Sequence, residues 1–201
     1  MNLFVTAIGT DCGKTIASAI LCEALKADYW KPIQSGTVEM DRQTVQNLVS
    51  NPNTNFYAEQ YLLKTPVSPH AAAEIDQIHI ELNNFKLPST QNNLIIEGAG
   101  GILVPLNYKG DFVIDLAAKF ETEIILVSNN YLGSINHTLL SIEALKTRNL
   151  PIKGIIFNGE SNEATEKLIL QHSGLRCLLR IKKEAFFTKE LVSHYAKRLI
   201  L

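Results

Sequence analysis

Residues 4–15 read FVTAIGTDCGKT. The apolar, β-prone run from Phe4 to Ala7 gives way to a short polar stretch, and then to KTIASAILCEALK (residues 14–26), whose Ile16, Ile20 and Ala24 recur at helical spacing. Strand, tight turn and helix in that order form a phosphate-holding arrangement: the first helical N–H groups face an anion, Lys14 adds charge, and the Thr15 hydroxyl can ligate Mg²⁺. The usual pattern GxxxxGK[ST] would place its first glycine at residue 8, which is Ile8. The strand before and the helix after nevertheless favour a phosphate loop over a plain turn, with Asp11, Cys12, Gly13, Lys14, Thr15 and Ile16 around the nucleotide. Cys12 could be a thiolate activated by the helix N-terminus, but it is read as a small loop-filling residue without chemistry.

The chain as a whole suits one such site in one domain. Its 201 residues, 46% hydrophobic, can bury a full core, so a single domain over 1–201 is expected. A formal net charge of −1 provides no basic field for nucleic acid or an anionic membrane. Three cysteines, Cys12, Cys22 and Cys177, without CxxC spacing suit a reducing compartment, so a cytoplasmic location is expected. MNLFVTAIG lacks a basic start, and Glu97 interrupts LIIEGAGGILVPL (94–106), so neither a signal peptide nor a membrane span is expected. No HExxH or His/Cys cluster supports zinc, and the lone His70 and His137 are read as structural.

Short β-rich runs alternate with helical periods, the pattern of an α/β fold with a mostly parallel central sheet and helices on both faces. Strands are expected near Leu3–Ala7, Tyr29–Ile33, Asn93–Glu97, Glu123–Val127 and Ile152–Phe157. Helices are expected over Lys14–Lys26, Asp41–Val49, Val113–Phe120, Ser134–Arg148, Asn162–His172 and Thr188–Leu199, with residues 51–89 loop-rich and holding at most short helices. Open α/β sheets bind ligands at the carboxyl ends of their strands. Falling there are the Gly-Lys-Thr loop, Lys31, Glu97 with GAGG (98–101), Ser128–Asn130 and Asn158. A carboxylate beside a phosphate site acts best through a hard cation, so Glu97 and Asp41 are candidate Mg²⁺ ligands, with N-capping an additional role for Asp41. Pro32 biases Lys31 towards an extended backbone at its strand end, where a second lysine suits an anion-crowded site.

GTDCGKT, YWKPIQSG (29–36), SPHAAA (68–73), EGAGG (97–101), YLGSINH (131–137) and FNG (157–159) together resemble dethiobiotin synthetase in order and spacing. In that family the loop has one extra residue, so its first glycine aligns with Ala7. The resemblance implies a P-loop NTPase-like fold and a cyclo-ligase that makes dethiobiotin from 7,8-diaminononanoate (7,8-diaminopelargonate), CO₂ and MgATP in biotin synthesis. An N-carbamate and a carbamic-phosphoric anhydride would precede ring closure and release of ADP and phosphate. Carried over by motif, Thr15, Asp41 and Glu97 would hold Mg²⁺, and Gly98, Ala99 and Gly100 would flank the nucleotide. Thr10, Lys14, Lys31 and Ser35 would act on the carbamate and the transferring phosphoryl group. Asp11 stands where the family usually has glutamate, a shorter reach towards the substrate amine. The family works as a homodimer, with a loop matching Gly133, Ser134, Ile135 and Asn136 binding the substrate carboxylate across the interface. Asn158 matches the adenine-reading residue. The family's Gly-x-x-Pro base-pocket segment is missing from LLRIKKEAFF (178–187), so weaker or less selective ATP binding is expected. Replacing Lys31 with Ala is expected to abolish turnover and spare the fold.

The alternative reading is a partitioning-type P-loop ATPase acting through nucleotide-dependent dimerisation. Its loop would carry an early lysine as in KGGxxKT, where this chain has Ala7 and Ile8. The final stretch TKELVSHYAKRLIL (188–201) could be a membrane-targeting tail, as in some of those ATPases, but is expected to dock on the sheet. A cobyrinate-type amide synthetase would need a glutaminase domain for which the chain has no room.

Overall fold

The computed structural model describes residues 1–201. The chain runs β1 (Asn2–Ala7), α1 (Lys14–Leu25), β2 (Asp28–Trp30), β3 (Ile33–Ser35), α2 (Asp41–Leu48), β4 (Phe56–Tyr57) and β5 (Tyr61–Leu63). It continues with α3 (Pro69–Ile75), β6 (Leu94–Glu97), α4 (Asp115–Lys119), β7 (Glu123–Asn129) and α5 (Ser134–Thr147). It ends with β8 (Ile152–Asn158), α6 (Glu163–Ser173), β9 (Cys177–Ile181) and α7 (Lys189–Ala196). Seven strands form one sheet in the order β4-β2-β6-β1-β7-β8-β9, parallel at every pairing.

β1 lies at the centre because it is apolar on both faces, as a strand covered by helices on either side must be. Its Leu3, Val5 and Ala7 join Ala17 and Ile20 of α1, Val45 of α2 and Val192 and Tyr195 of α7 in one core. Phe4 points the other way, into a second core with Leu116 of α4, Leu145 of α5 and Ile169 of α6. Helices therefore cover both faces, and α7 docks beside α1 as expected of the C-terminal segment. No helix is long and apolar enough to cross a membrane.

Three expectations need correction. The strand anticipated over Tyr29–Ile33 breaks at Pro32, which has no N–H to give to a ladder. β2 stays in the main sheet while β3 leaves it to pair in parallel with β5. Residues 51–89 hold two short strands, β4 and β5, besides α3 and a 3₁₀ turn. β9 was absent from the sequence reading, because exposed Arg180 interrupts its apolar run; Arg180 pairs there with buried Glu166. Helix starts at Lys14, Asp41 and Ser134 coincide with those expected, whereas α4 and α7 are shorter.

Candidate active site

The carboxyl end of β1 feeds the Gly-Lys-Thr loop. Gly13 caps α1 with φ of 90°, and a Cβ there would lie 2.4 Å from the Asn158 amide nitrogen, so both backbone angle and space demand glycine. No backbone or side-chain acceptor takes the amide hydrogens of Asp11 through Ile16, which leaves the start of this twelve-residue helix free for an anion. Lys14 is buried and turns its Nζ back to the Gly9 carbonyl at 3.2 Å. Burial pulls its pKa below the usual lysine value, partly offset by Glu97, and Lys31 pulls it lower still. A phosphate would relieve that penalty.

Strand alternation supplies the charges. Tyr29, Ile95 and Val5 share the α1 face of the sheet, so Lys31 and Glu97, two residues beyond Tyr29 and Ile95, emerge on that side. Glu97 is fully buried. Its Oε2 accepts from the Tyr29 hydroxyl at 3.0 Å, while Oε1 lies 3.0 Å from Thr15 Oγ1 and 3.2 Å from Lys31 Nζ. Asp41, at the start of α2, reaches Thr15 Oγ1 at 2.8 Å and Lys31 Nζ at 2.6 Å. Burial works against charge on Lys31, but Glu97 and Asp41 outweigh it and raise its pKa. Burial likewise disfavours the Asp41 carboxylate, and Lys31 and Thr15 outweigh it to hold the pKa below the usual carboxylate range.

Thr15 has one hydroxyl hydrogen for two carboxylates, so three hard oxygens converge with one proton to share. That all-oxygen donor set suits Mg²⁺, and the Lys31 ammonium already sits on both carboxylates as a resident cation. Lys31 is also tied to the fold more tightly than expected. Removing its charge leaves a fully buried Glu97 with Tyr29 and Thr15 as its remaining partners, so Lys31→Ala is expected to cost stability as well as turnover.

These groups line a cavity of about 720 Å³, together with Thr10, Asp11, Gly13, Ile16, Ser35, Ala99 and Gly100. Gly100 has φ of 63°, and a Cβ there would meet Val104 at 2.7 Å, so the turn after β6 also requires glycine. Three proposed residues lie behind the cavity lining. Cys12 is buried under the loop, where burial pushes its thiol pKa up. Gly98 packs on Phe4, and Asn158 donates from Nδ2 to the Cys12 carbonyl at 2.9 Å. Gly133, Ser134, Ile135 and Asn136 are not brought to this cavity. They line a second one of about 750 Å³ with Asn130, Tyr131 and Glu160.

The sequence reading missed Tyr29, whose position two residues before Lys31 put it on the same strand face. It also missed Gln34 and Val104 and the wall from Pro66 to Pro69, although SPHAAA had marked part of that wall. Asp28 was missed as well: fully buried, it accepts from Asn55, Tyr57, Thr90 and Asn92 and clamps β2 to the segments around it.

A parallel sheet whose central strand delivers a Gly-Lys-Thr loop to a helix N-terminus, with an acidic residue ending the neighbouring strand, defines a P-loop nucleotide-binding protein. A family model described as an AAA domain matches residues 1–190. Many solved structures share the fold. The ParA family ATPase from Chlorobium tepidum has a TM-score of 0.51 at 13% identity, covering 98% of this chain and 99% of its own. The septum site-determining protein MinD from Pyrococcus horikoshii, complexed with Mg-ADP, has a TM-score of 0.52 at 16% identity, covering 96% and 86%. At such identities they speak to the fold alone. The ATP-dependent dethiobiotin synthetases BioD of Cytophaga hutchinsonii and Christiangramia forsetii are 53% and 52% identical over 197 and 198 residues, covering 98% of this chain and 95% of each relative. The chain belongs to the dethiobiotin synthetase family, ATP-dependent ligases of biotin synthesis.

Proposed function

We propose that the 720 Å³ cavity carboxylates 7,8-diaminononanoate with CO₂ and closes the ureido ring at the expense of MgATP. One amine captures CO₂ as a carbamate, a carbamate oxygen attacks the γ-phosphate and releases ADP, and the second amine displaces phosphate from the mixed anhydride. Every intermediate is anionic, so the site must supply fixed positive charge and N–H donors. The observation that carries the reading is the meeting of Lys14, Lys31, Asp41 and Glu97 in one cavity at the free N-terminus of α1. Lys14 and the loop amides hold the β- and γ-phosphates, and Lys31 with Thr10 and Ser35 orients the carbamate. Thr15, Asp41 and Glu97 would hold Mg²⁺, which neutralises phosphate charge when bound. Asp11 faces the substrate amine.

In this reading residues 1–201 act as one synthetase domain in a homodimer. Gly133 to Asn136 contribute the substrate-carboxylate contact to the partner's cavity, which fits their distance from the site on their own chain. Fully exposed Leu132 and half-exposed Tyr131 beside them suit a covered surface. The three free cysteines suit a cytoplasmic location. Partitioning-type activity has only a distant likeness of fold in its favour.

The decisive assay is ADP release that requires both the diamine and bicarbonate. Release that ignores the diamine would overturn the synthetase reading. Light scattering on the protein in solution tests the dimer, and calorimetry with ATP, GTP and CTP tests the relaxed base selection. Micromolar ATP binding with rejection of the other two would refute the latter.

A further inference from the structure

Five buried side-chain polar atoms in the chain have no hydrogen-bond partner, and two of them are neighbours in sequence: Gln34 Oε1 and Ser35 Oγ. Both residues line the cavity that holds Lys31, Asp41 and Glu97. They lie on β3, the short strand that Pro32 diverts from the main sheet. Buried polar atoms are nearly always satisfied, so an orphaned pair at a ligand cavity is a pair awaiting a ligand.

The orientation of the Gln34 amide is set by its neighbour. Nε2 donates to the Ser35 carbonyl at 3.0 Å, and turning the amide over would place two oxygens face to face. Oε1 is therefore the free end, an acceptor without formal charge, held on a residue only 7% exposed. Ser35, the next residue of β3, lines the same cavity and its hydroxyl is a free donor. An acceptor and a donor lining one cavity suit a group that presents both an N–H and a C–O⁻. A carbamate has that pairing; a free ammonium has only donors. A neutral carbonyl suits the task better than a carboxylate, since it takes the N–H without repelling the carbamate oxygens or adding to the charge of Asp41 and Glu97.

We infer that Gln34 is a substrate-positioning residue of the cavity, its Oε1 accepting the N–H of the carbamate formed on the diamine while Ser35 donates to the carbamate oxygen. The inference rests on the proposed synthetase reaction and adds to it a group that recognises the carboxylated form of the substrate.

The test uses the full chain and two variants. Gln34→Met keeps length and volume and loses the amide, and Gln34→Glu keeps an acceptor oxygen while adding charge. With Gln34→Met, KM for 7,8-diaminononanoate rises about tenfold, the size of effect expected for one lost hydrogen bond at a buried site. KM for ATP stays within about twofold, because the nucleotide is held elsewhere. With Gln34→Glu kcat falls at least about tenfold, as charge beside the reacting carbamate opposes both its formation and phosphoryl transfer. A second readout is independent of turnover. The rise in thermal midpoint given to the wild type by diamine, bicarbonate and a non-hydrolysable ATP analogue shrinks in Gln34→Met, while the ligand-free midpoint is unchanged or higher.

If the wild type shows no diamine-dependent ADP release, the synthetase reading fails and this inference with it. If the wild type turns over and Gln34→Met keeps its KM for the diamine and its ligand-induced stabilisation, the assignment of Gln34 alone is overturned. Should Gln34→Met not fold, Gln34→Glu decides: wild-type kcat in that variant overturns the assignment.

Discussion

Lys31→Met isolates the charge at the centre of the site. Methionine fills the space of the lysine stem, so the change removes the ammonium and little volume. Left behind are Glu97, fully buried, and Asp41, whose side chain is 30% exposed. Breaking a buried pair by removing one partner costs about 3–5 kcal/mol, and the partial exposure of Asp41 places this case near about 3 kcal/mol. For a chain of this size that lowers the melting temperature by about 6–12 °C. The pH dependence follows from the two shifts. Asp41 is lowered from 3.8, so its contribution is present above that value and is lost as pH falls through its folded pKa. Lys31 is raised from 10.5, so its contribution is present below that value and is lost as pH rises through its folded pKa. The gap between wild type and variant is thus flat between about pH 5 and pH 10 and closes in acid. Differential scanning fluorimetry across pH, with and without Mg²⁺, reads all of this. Mg²⁺ at about a hundred times its dissociation constant would return about 2.7 kcal/mol by restoring positive charge between the carboxylates. Diamine-dependent turnover falls by at least about a hundredfold. A variant melting within about 2 °C of wild type at neutral pH without Mg²⁺ would refute the charge-neutralising role of Lys31.

Tyr29→Phe removes the buried donor to Glu97 Oε2, costs about 1–3 kcal/mol, and raises the Mg²⁺ concentration needed for half-saturation in calorimetry with ADP. An unchanged Mg²⁺ requirement would reduce Tyr29 to packing. Gly13→Ala weakens nucleotide binding by at least about tenfold, since it meets both a left-handed backbone and the Asn158 amide; adding Asn158→Ala relieves only the second. Calorimetry on the single and double variants checks the order. Burial opposes charge on Asp28, but hydrogen bonds from Thr90, Asn55 and Asn92 outweigh it and lower its pKa from 3.8. The clamp is therefore present above that pH and is lost as pH falls through the folded value. Asp28→Asn should lower the melting temperature at pH 7 and flatten its fall below about pH 4.

The elements legible in the sequence were those whose cause is local. β1, the loop and α1 follow from an apolar run, a glycine that needs positive φ and a helical period, all within residues 2–25. β4 and β5 were hidden because strands of two and three residues carry no period of their own and exist through partners elsewhere in the chain. Pro32 suggests an extended backbone at Lys31 from the sequence, yet its observed effect is to end β2 at Trp30 and send Gln34 and Ser35 along a different strand. In the site, Lys14, Thr15, Lys31 and Glu97 were legible because strand ends gather at one edge of a parallel sheet. Tyr29 was legible in principle, since it stands two residues before Lys31 and register places it against Ile95, two residues before Glu97. The wall from Pro66 to Pro69 was not, because its place depends on the β3–β5 pairing.

The two lysines are held in opposite ways, and the difference sets what each can do. Lys31 is fixed as a cation by two carboxylates, so its charge persists whatever enters the cavity. Lys14 has no carboxylate within salt-bridge distance; it leans on the Gly9 carbonyl, and burial lowers its pKa from 10.5. A triphosphate at the N-terminus of α1 would favour the charged form and raise that pKa again. Nucleotide binding therefore takes up protons on the alkaline side. Affinity is flat below the ligand-free pKa of Lys14, falls as pH rises through it, and levels off again above the ligand-bound value. Calorimetry of ADP binding in two buffers of different ionisation enthalpy measures the uptake directly. It should be positive in the wild type as pH rises towards the ordinary lysine value of 10.5, and abolished in Lys14→Met. Equal proton uptake in the wild type and Lys14→Met would move the effect to another group and undo the division of labour drawn between the two lysines.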